Sequence, residues 1–517
     1  MYQIKAVVLN LFCATLSAQA WNSEAVRSFP ANFQFGASTA AYQIEGGWNE
    51  DGKGPSIWDV ATHNNPSPIK DNSTGDVASD SYHLYKRDVE IMKELGLDFY
   101  RFSVSWPRIL PTGFANQINQ AGIDYYNNFI DEMIENGITP FLTIYHWDLP
   151  EDLQKLGGWT NSEIVDWFTD YAGVLFDNFG DRVKMWITIN EPKQICYEGY
   201  GSDMKAPLVN LTGIAEYLCA KNVLLAHAKA YRLYDERYRK EQKGEIGISL
   251  SCSWYEPMSD SEEDTQAALD ARQFDWGQYA HPIFTKRGDF PEELKNNVAK
   301  KSAEQGYLRS RLPVLSKEEI KFIRGTSDFF GLNTYSSKMA YRDDTLTGMF
   351  AVPSYRDDMG TILVKNETWI QGESEWLQCH AMPSGFYNLL QEIKELYNNP
   401  AVYITENGWS TAGGLDDDDR VHYLRSYLDA LLDAVDDGCN VRAYSVWSLI
   451  DNFEWLQGYT EKFGLYEVDY TSEERTRTPR KSAFVYKEII RTKALDPDYE
   501  PDQYMEPNIV KKRGSVQ

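Results

Sequence analysis

Two glutamates in this chain sit where a side chain must be either paired or put to use. Ala401 to Trp409 reads Ala-Val-Tyr-Ile-Thr-Glu-Asn-Gly-Trp, an apolar run bounded by Pro400 and by Asn407-Gly408, and it predicts a buried strand that delivers Glu406 at its tip. Lys184 to Pro192 reads Lys-Met-Trp-Ile-Thr-Ile-Asn-Glu-Pro, a second alternating run that stops at Glu191 before a proline that cannot continue a ladder. If the two strands run side by side and parallel, both acids rise from one rim of a sheet. Two carboxyl groups facing one cavity are the minimal equipment for cleaving a glycosidic bond. Such a pair must hold opposite protonation states at one pH, which requires unlike surroundings.

Eight apolar runs could carry such residues: Asn32 to Thr39, Phe99 to Trp106, Thr139 to Trp147, the Glu191 run, Glu245 to Trp254, Asp328 to Tyr335, the Glu406 run and Val441 to Ile450. Helical periodicity separates them over Ser79 to Leu95, Tyr125 to Glu135, Ser162 to Phe179 and Ile214 to Glu236, and a charged helical region spans Ser259 to Leu315. Met339 to Gln378 has little periodicity and reads as an insertion over one rim. The alternation predicts an α/β fold, a single (β/α)8 TIM barrel with long loops at its C-terminal face. No linker rich in Gly, Pro or Ser divides the chain, so one catalytic domain is expected over 21–517. Chemistry in this architecture sits at the C-terminal strand ends, and Arg101, His146, Asn190, Glu191, Asn333, Tyr335, Glu406 and Trp447 all fall there.

Bulk properties exclude several partners. The 517 residues carry 51 Lys and Arg against 77 Asp and Glu, a formal charge of −26, which repels phosphate backbones and makes nucleic acid an improbable ligand. The basic run Arg475 to Lys481 is expected to be a solvated turn and helix start. Residues 1–20 combine Lys5, an apolar stretch and Ser17-Ala18-Gln19-Ala20, the pattern of a cleaved signal peptide. No later stretch is apolar enough for a membrane span, so a secreted protein is expected, with acceptor sequons at Asn72, Asn210 and Asn366. Beyond the leader, the five cysteines show no framework spacing and no Cys-x-x-Cys, and their pairing stays open.

No cofactor or metal is expected. Asp416 to Asp419 lacks the spaced ligands of a calcium loop and reads as a solvated helix start, Gly52-Lys53-Gly54 lacks the spacing of a phosphate loop, and no zinc pattern occurs.

The sequence also resembles a known family. Phe29 to Gly46, Thr188-Ile-Asn-Glu-Pro and Ile404-Thr-Glu-Asn-Gly are similar, in that order, to the signature segments of glycoside hydrolase family 1, above all to its insect digestive β-glucosidases, over about 29–487. The resemblance implies a (β/α)8 barrel that hydrolyses β-glycosides with retention and without a cofactor, a small-molecule β-glycoside as partner, and leaves a homodimer open. Residue by residue it implies Glu406 as nucleophile, Glu191 as acid and base, and Arg101 and Tyr335 in contact with the nucleophile. It implies a substrate-binding set of Gln43, His146, Asn190, Asn333, Trp447, Glu454, Trp455 and Phe463. Glu454 would be a charged bidentate acceptor which, paired with Gln43, reads the 4- and 6-hydroxyls of a hexose, without deciding between glucoside, galactoside and fucoside. Lys462 stands where the family pattern leads one to expect arginine. A myrosinase-type thioglucosidase is the alternative within the same chemistry, and a glycan-binding relative without turnover the alternative outside it.

Overall fold

A computed structural model describes residues 25–343, 345, 348–372 and 380–501. The leader read at residues 1–20 lies outside them. Eight strands form a closed barrel, all parallel: β1 (Gln34–Ser38), β2 (Phe99–Ser103), β3 (Thr139–Tyr145), β4 (Met185–Asn190), β5 (Glu245–Ser251), β6 (Phe330–Asn333), β7 (Val402–Asn407) and β8 (Val441–Trp447). The first and last strands close it, with Ser38 opposite Trp447.

The long helices outside the barrel include α1 (Ser81–Leu95), α2 (Gln120–Glu135), α3 (Ile164–Phe179), α4 (Ala215–Leu233), α5 (Pro383–Leu396), α6 (Asp418–Asp436) and α7 (Lys481–Thr492). The first four coincide with the segments whose period predicts a helix, with the apolar stripe turned inward; α1, for instance, buries Val89, Ile91, Met92 and Leu95. Gly96 ends α1 at φ 76°, a left-handed position that a side chain would strain. No helix among the described residues is long and apolar enough to cross a membrane.

Inside the barrel, the two-residue alternation of each strand stacks unlike layers. Phe99, Phe141, Ile187, Phe329 and Ala443 plug one end, packed against Tyr403 and Met185. Gly36 makes room for this plug, since a Cβ there would come within 2.5 Å of the Phe99 ring. Two residues further along the strands the interior turns polar: Ser38 bonds Ser445 at 2.5 Å, Ser249 donates to Thr405 at 2.9 Å, and Arg101 donates to Thr143 at 3.0 Å. The acids stand above this polar layer.

Three expectations need correction. The fifth strand leaves the barrel at Ser251; Trp254–Pro257 is a separate strand pairing with Ser337–Tyr341, which in turn pairs with Ile362–Val364. What reads as an irregular insertion therefore begins as a small sheet beside the barrel mouth. The basic run is not solvated either: Arg477 and Arg480 are buried against Asp88 and Asp451, at 3.0 and 2.8 Å, because a guanidinium removed from water needs a carboxylate. Nor is the acidic run simply a wet helix start: Asp417 is buried against Arg420 and Ser482, while Asp418 pairs with Lys481 at 2.6 Å.

Candidate active site

Glu406 lies inside β7 and Glu191 directly follows β4, and both line one cavity of about 240 Å³ with His146, Trp447, Glu454, Trp455 and Phe463. A regular strand could not aim Glu406 there. Thr405 already bonds across the barrel interior to Ser249 and Asn333, so its neighbour should face the helices. A register shift between Ile404 and Glu406 re-aims the carboxylate into the interior. On β4 a shift lies between Ile187 and Asn190, and Glu191 adopts φ 50°, a left-handed backbone uncommon outside glycine. Both acids thus sit on local irregularities of otherwise regular strands.

Their surroundings differ as opposite protonation states require. Glu406 Oε1 accepts from the guanidinium of Arg101, which is fully buried, and Oε2 accepts from the hydroxyl of Tyr335 at 2.6 Å. Two donors, one of them a fixed cation, suit a carboxylate. Glu191 has no cation bonded to it among the described residues and accepts from Asn333 Nδ2 at 2.9 Å. Burial, and then the charge of Glu406, push the Glu191 carboxyl up to about 8, so it holds a proton at neutral pH.

Behind the cavity wall, Asn190 and Asn333 tie the two acids together. Arg101 donates to Asn190 Oδ1 at 2.6 Å, Asn333 donates to the same oxygen at 3.0 Å, and Asn333 Oδ1 accepts from Thr405. The resemblance places Asn333 with the substrate-binding set as its support; its amide is engaged on both sides with the protein, which makes it a positioning residue. Asn190 Nδ2 meets His146 Nε2 at 3.0 Å, leaving the ring proton on Nδ1. Burial, with Arg101 and Lys205 nearby, pulls the His146 imidazole well below its ordinary range and keeps it neutral. His146 Nδ1 and Gln43 Oε1 are buried and meet no protein partner among the described residues, which suits them to hydroxyl groups of a ligand.

Gln43, on the turn Ala41–Ile44, donates through Nε2 to Asn452, Phe453 and Glu454 at 2.9, 2.9 and 3.0 Å. Burial pushes Glu454 up to about 8. Below that pH it is a neutral hydrogen-bonding acid rather than the charged acceptor the sequence reading expects. Trp447 ends β8, and Trp455 packs at 4.7 Å, tilted by about 40°, against both Trp58 and Trp147, so the aromatic wall of the pocket continues into the core. Phe463 and Tyr335 meet edge to face at 6.1 Å.

Other residues complete the site without any signal in a motif. Trp147 donates to the Asn190 carbonyl at 2.9 Å. Tyr423 and Tyr427, one turn apart on α6, both donate to the Tyr335 carbonyl, at 2.8 and 3.2 Å, and fix that residue over Glu406. Pairing period-matched aromatics on a helix with a residue on another strand is a tertiary fact that spacing does not carry. Gln194, Glu198, Lys205 and Lys338 also line the cavity. Lys462 keeps its backbone in place, Thr411 donating to its carbonyl at 3.0 Å and Arg420 to the same oxygen at 2.6 Å.

Cys196 is disulfide-bonded to Cys219, tying the helical turn Gln194–Tyr200 just past Glu191 to α4, while Cys252 and Cys439 are free and buried; Cys379 lies outside the described residues. Asn72 and Asn210 are exposed and Asn366 half-buried.

Known proteins resemble this chain over most of its length. The family described as Glycosyl hydrolase family 1 matches residues 25–495. Myrosinase 1 of Brevicoryne brassicae is 47% identical over 90% of this chain and 98% of its own length, and the solved structure titled aphid myrosinase superposes with a TM-score of 0.86, covering 90% of this chain and 100% of that one at 46% identity. The human cytosolic beta-glucosidase is 43% identical over 91% of this chain and 99% of its length. A rice beta-glucosidase mutant solved in a covalent complex with glucose superposes with a TM-score of 0.83 at 38% identity, covering 89% of this chain and 98% of that one.

Proposed function

We propose that this chain, which belongs to glycosyl hydrolase family 1, is a secreted β-glucosidase that works with retention through a covalent glycosyl ester on Glu406. The observation that carries the reading is the contrast across one cavity: Glu406 between Arg101 and Tyr335, Glu191 driven toward its protonated form. The mechanism follows. Glu406 Oε attacks the anomeric carbon while Glu191 gives its proton to the departing oxygen; the aglycone leaves as an alcohol and the sugar stays as an ester. Once Glu406 is esterified its charge is gone, Glu191 stays ionised more readily, and it takes a proton from the water that attacks the ester. A like charge raises a neighbour's proton affinity strongly only within about 4–6 Å, and retaining pairs stand about 5–5.5 Å apart, whereas inverting pairs need about 6.5–9.5 Å to admit a water.

Gln43, His146 and Glu454 are the hydroxyl readers in this scheme, with Trp447 and Trp455 as the apolar faces of the sugar site. Secretion is supported by the leader pattern at residues 1–20, by the Cys196–Cys219 disulfide and by the surface sequons. Expression of the full chain in animal cells tests it: enzyme should appear in the medium without residues 1–20, and enzyme held inside the cells with that leader intact would contradict it.

NMR of the first glucose released from an aryl β-glucoside tests the reading. The β-anomer should appear before mutarotation; first release of the α-anomer would exclude a covalent step on Glu406. A second reading, hydrolysis of S-glucosides, is favoured by the 47% identity to Myrosinase 1. Glucose release from paired O- and S-glucosides of one aglycone separates the two.

A further inference from the structure

Six large apolar side chains, drawn from three segments, share one outer face of the molecule. Leu211 precedes α4 and is 60% exposed, and Ile214 and Leu218, one turn apart at the start of that helix, are exposed as well. Leu308 and Val314 lie between the helices Glu292–Glu304 and Lys317–Ile323, the first fully exposed and the second 80% exposed, and Val352 is 62% exposed. Four contacts bring the segments together. Arg311 donates to the Gly213 carbonyl at 2.7 Å, Lys221 donates to the Val314 carbonyl at 3.1 Å, and the Tyr355 amide donates to Thr212 Oγ1 at 3.3 Å. Gly213 packs so closely on Pro353 that a Cβ would come within 2.9 Å of its ring. Exposed apolar residues that stand singly are ordinary, whereas a contiguous apolar face marks a place that something covers.

The sequence beside the face says what covers it. Asn210 is exposed, directly precedes Leu211 and opens the sequon Asn210-Leu211-Thr212, whose threonine is the one bonded to Tyr355. The other two sequons are placed differently: Asn72 belongs to a loop that Asp71 bonds to Tyr459, and Asn366 is half-buried with its side-chain oxygen accepting from Thr368. A second copy of the chain or an anionic lipid surface meets long-range repulsion from a molecule of net charge −26. A neutral sugar chain meets none and arrives already tethered. Its acetyl methyls and ring C–H faces can lie on leucine and valine side chains while its hydroxyls stay in water.

We propose that Asn210 carries an N-linked glycan whose first sugars lie over Leu211, Ile214, Leu308 and Val314 and keep this face from associating with other proteins. The inference rests on the secretion reading above, which supplies the machinery, and gives one sequon a physical task. Attachment forms a C–N bond from Asn210 Nδ2 to the anomeric carbon of an oligosaccharide and breaks that carbon's bond to the diphosphate of a lipid carrier. The amide gives up one proton and the lipid diphosphate leaves; the co-substrate is the lipid-linked oligosaccharide of the secretory membrane.

The test uses the full chain expressed in animal cells. Mass spectrometry of peptides from the secreted enzyme, before and after N-glycosidase, should find Asn210 glycosylated. Light scattering should then show Asn210→Gln associating beyond the state of the glycoprotein, with the fluorescence of a bound hydrophobic dye raised severalfold and kcat/KM on an aryl β-glucoside unchanged. Adding Leu308→Ser and Val314→Ser to that variant should restore both mass and fluorescence, and Asn72→Gln alone should change neither. A bare Asn210 in secreted enzyme overturns the inference and leaves secretion standing. Enzyme held inside the cells with its leader intact defeats secretion and this inference together. Unchanged mass and dye fluorescence in Asn210→Gln overturn the inference, as does association of the glycoprotein that Leu308→Ser abolishes, which would give the face to a second copy. Should Asn210→Gln not be recovered, N-glycosidase acting on the folded glycoprotein must produce the same association, and a glycan-free protein that stays as it was refutes the cover.

Discussion

Asn333 donates to Glu191 across 2.9 Å from a strand two places away in the barrel. The donor is the amide nitrogen; the oxygen of the same amide accepts from Thr405, the residue before Glu406, so one side chain braces both acids. Its bond opposes the rise in proton affinity that burial and Glu406 impose on Glu191. Removing it in Asn333→Ala should move the alkaline limb of kcat/KM to higher pH and lower kcat by roughly 10- to 100-fold, the worth of a hydrogen bond to a charged group. An alkaline limb that stays in place would show that Asn333 only fills space.

The alkaline limb itself has a predicted position. Glu191 donates its proton in the first step, and its folded-state value of about 8 lies above its ordinary range, so the donor form is present below that pH and lost as pH rises through it. Activity on alkyl glucosides should therefore fall above about pH 8. Glu454 is pushed to the same region, so it could masquerade as the source. Profiles of Glu454→Gln and Glu191→Gln distinguish them: the limb should persist in the first and vanish in the second.

Leaving-group dependence gives a third expectation. Glu191→Gln should slow alkyl glucosides by roughly 10²–10⁴-fold, the usual contribution of a general acid, and activated nitrophenyl glucosides far less in the glycosylation step. Equal losses for both substrate types, measured under single turnover, would remove Glu191 from the role.

Replacement of the nucleophile should be more drastic than replacement of its support. Glu406→Ala should abolish turnover with far-UV circular dichroism intact, whereas Tyr335→Phe, which deletes one 2.6 Å donor and leaves Arg101, should retain activity at roughly one-tenth to one-hundredth. Hydrolysis by purified Glu406→Ala at more than a trace would refute the assignment.

Much of this site can be read along the chain because its residues end strands. Glu191, Glu406, Arg101, Tyr335 and His146 are each flagged by an apolar run that stops, and a barrel brings all such stops to one rim. What cannot be read is backbone irregularity: by strict alternation Thr405 or Glu406, but not both, should face the interior, and only the register shift at Ile404 lets both do so. Charge state is equally hidden, since Glu454 reads as a charged acceptor in sequence and is a buried acid pushed up to about 8 in the fold. Lys205 and Lys338 lie in segments without periodicity, and their common destination depends on how the loops fold over the mouth. The buried Arg477 and Arg480 make the same point in reverse, because a basic run reads as wet until the barrel supplies Asp88 and Asp451.

The pairing of β1 with β8 has a consequence for biosynthesis. Ser38 waits for Trp447 of a 517-residue chain, so the ring stays open on two edges until all but the last seventh of the chain has been made, and unpaired strand edges invite association with other chains. Nascent polypeptide cut short before Val441 would therefore be expected in aggregates and bound to chaperones, even though it already contains both acids.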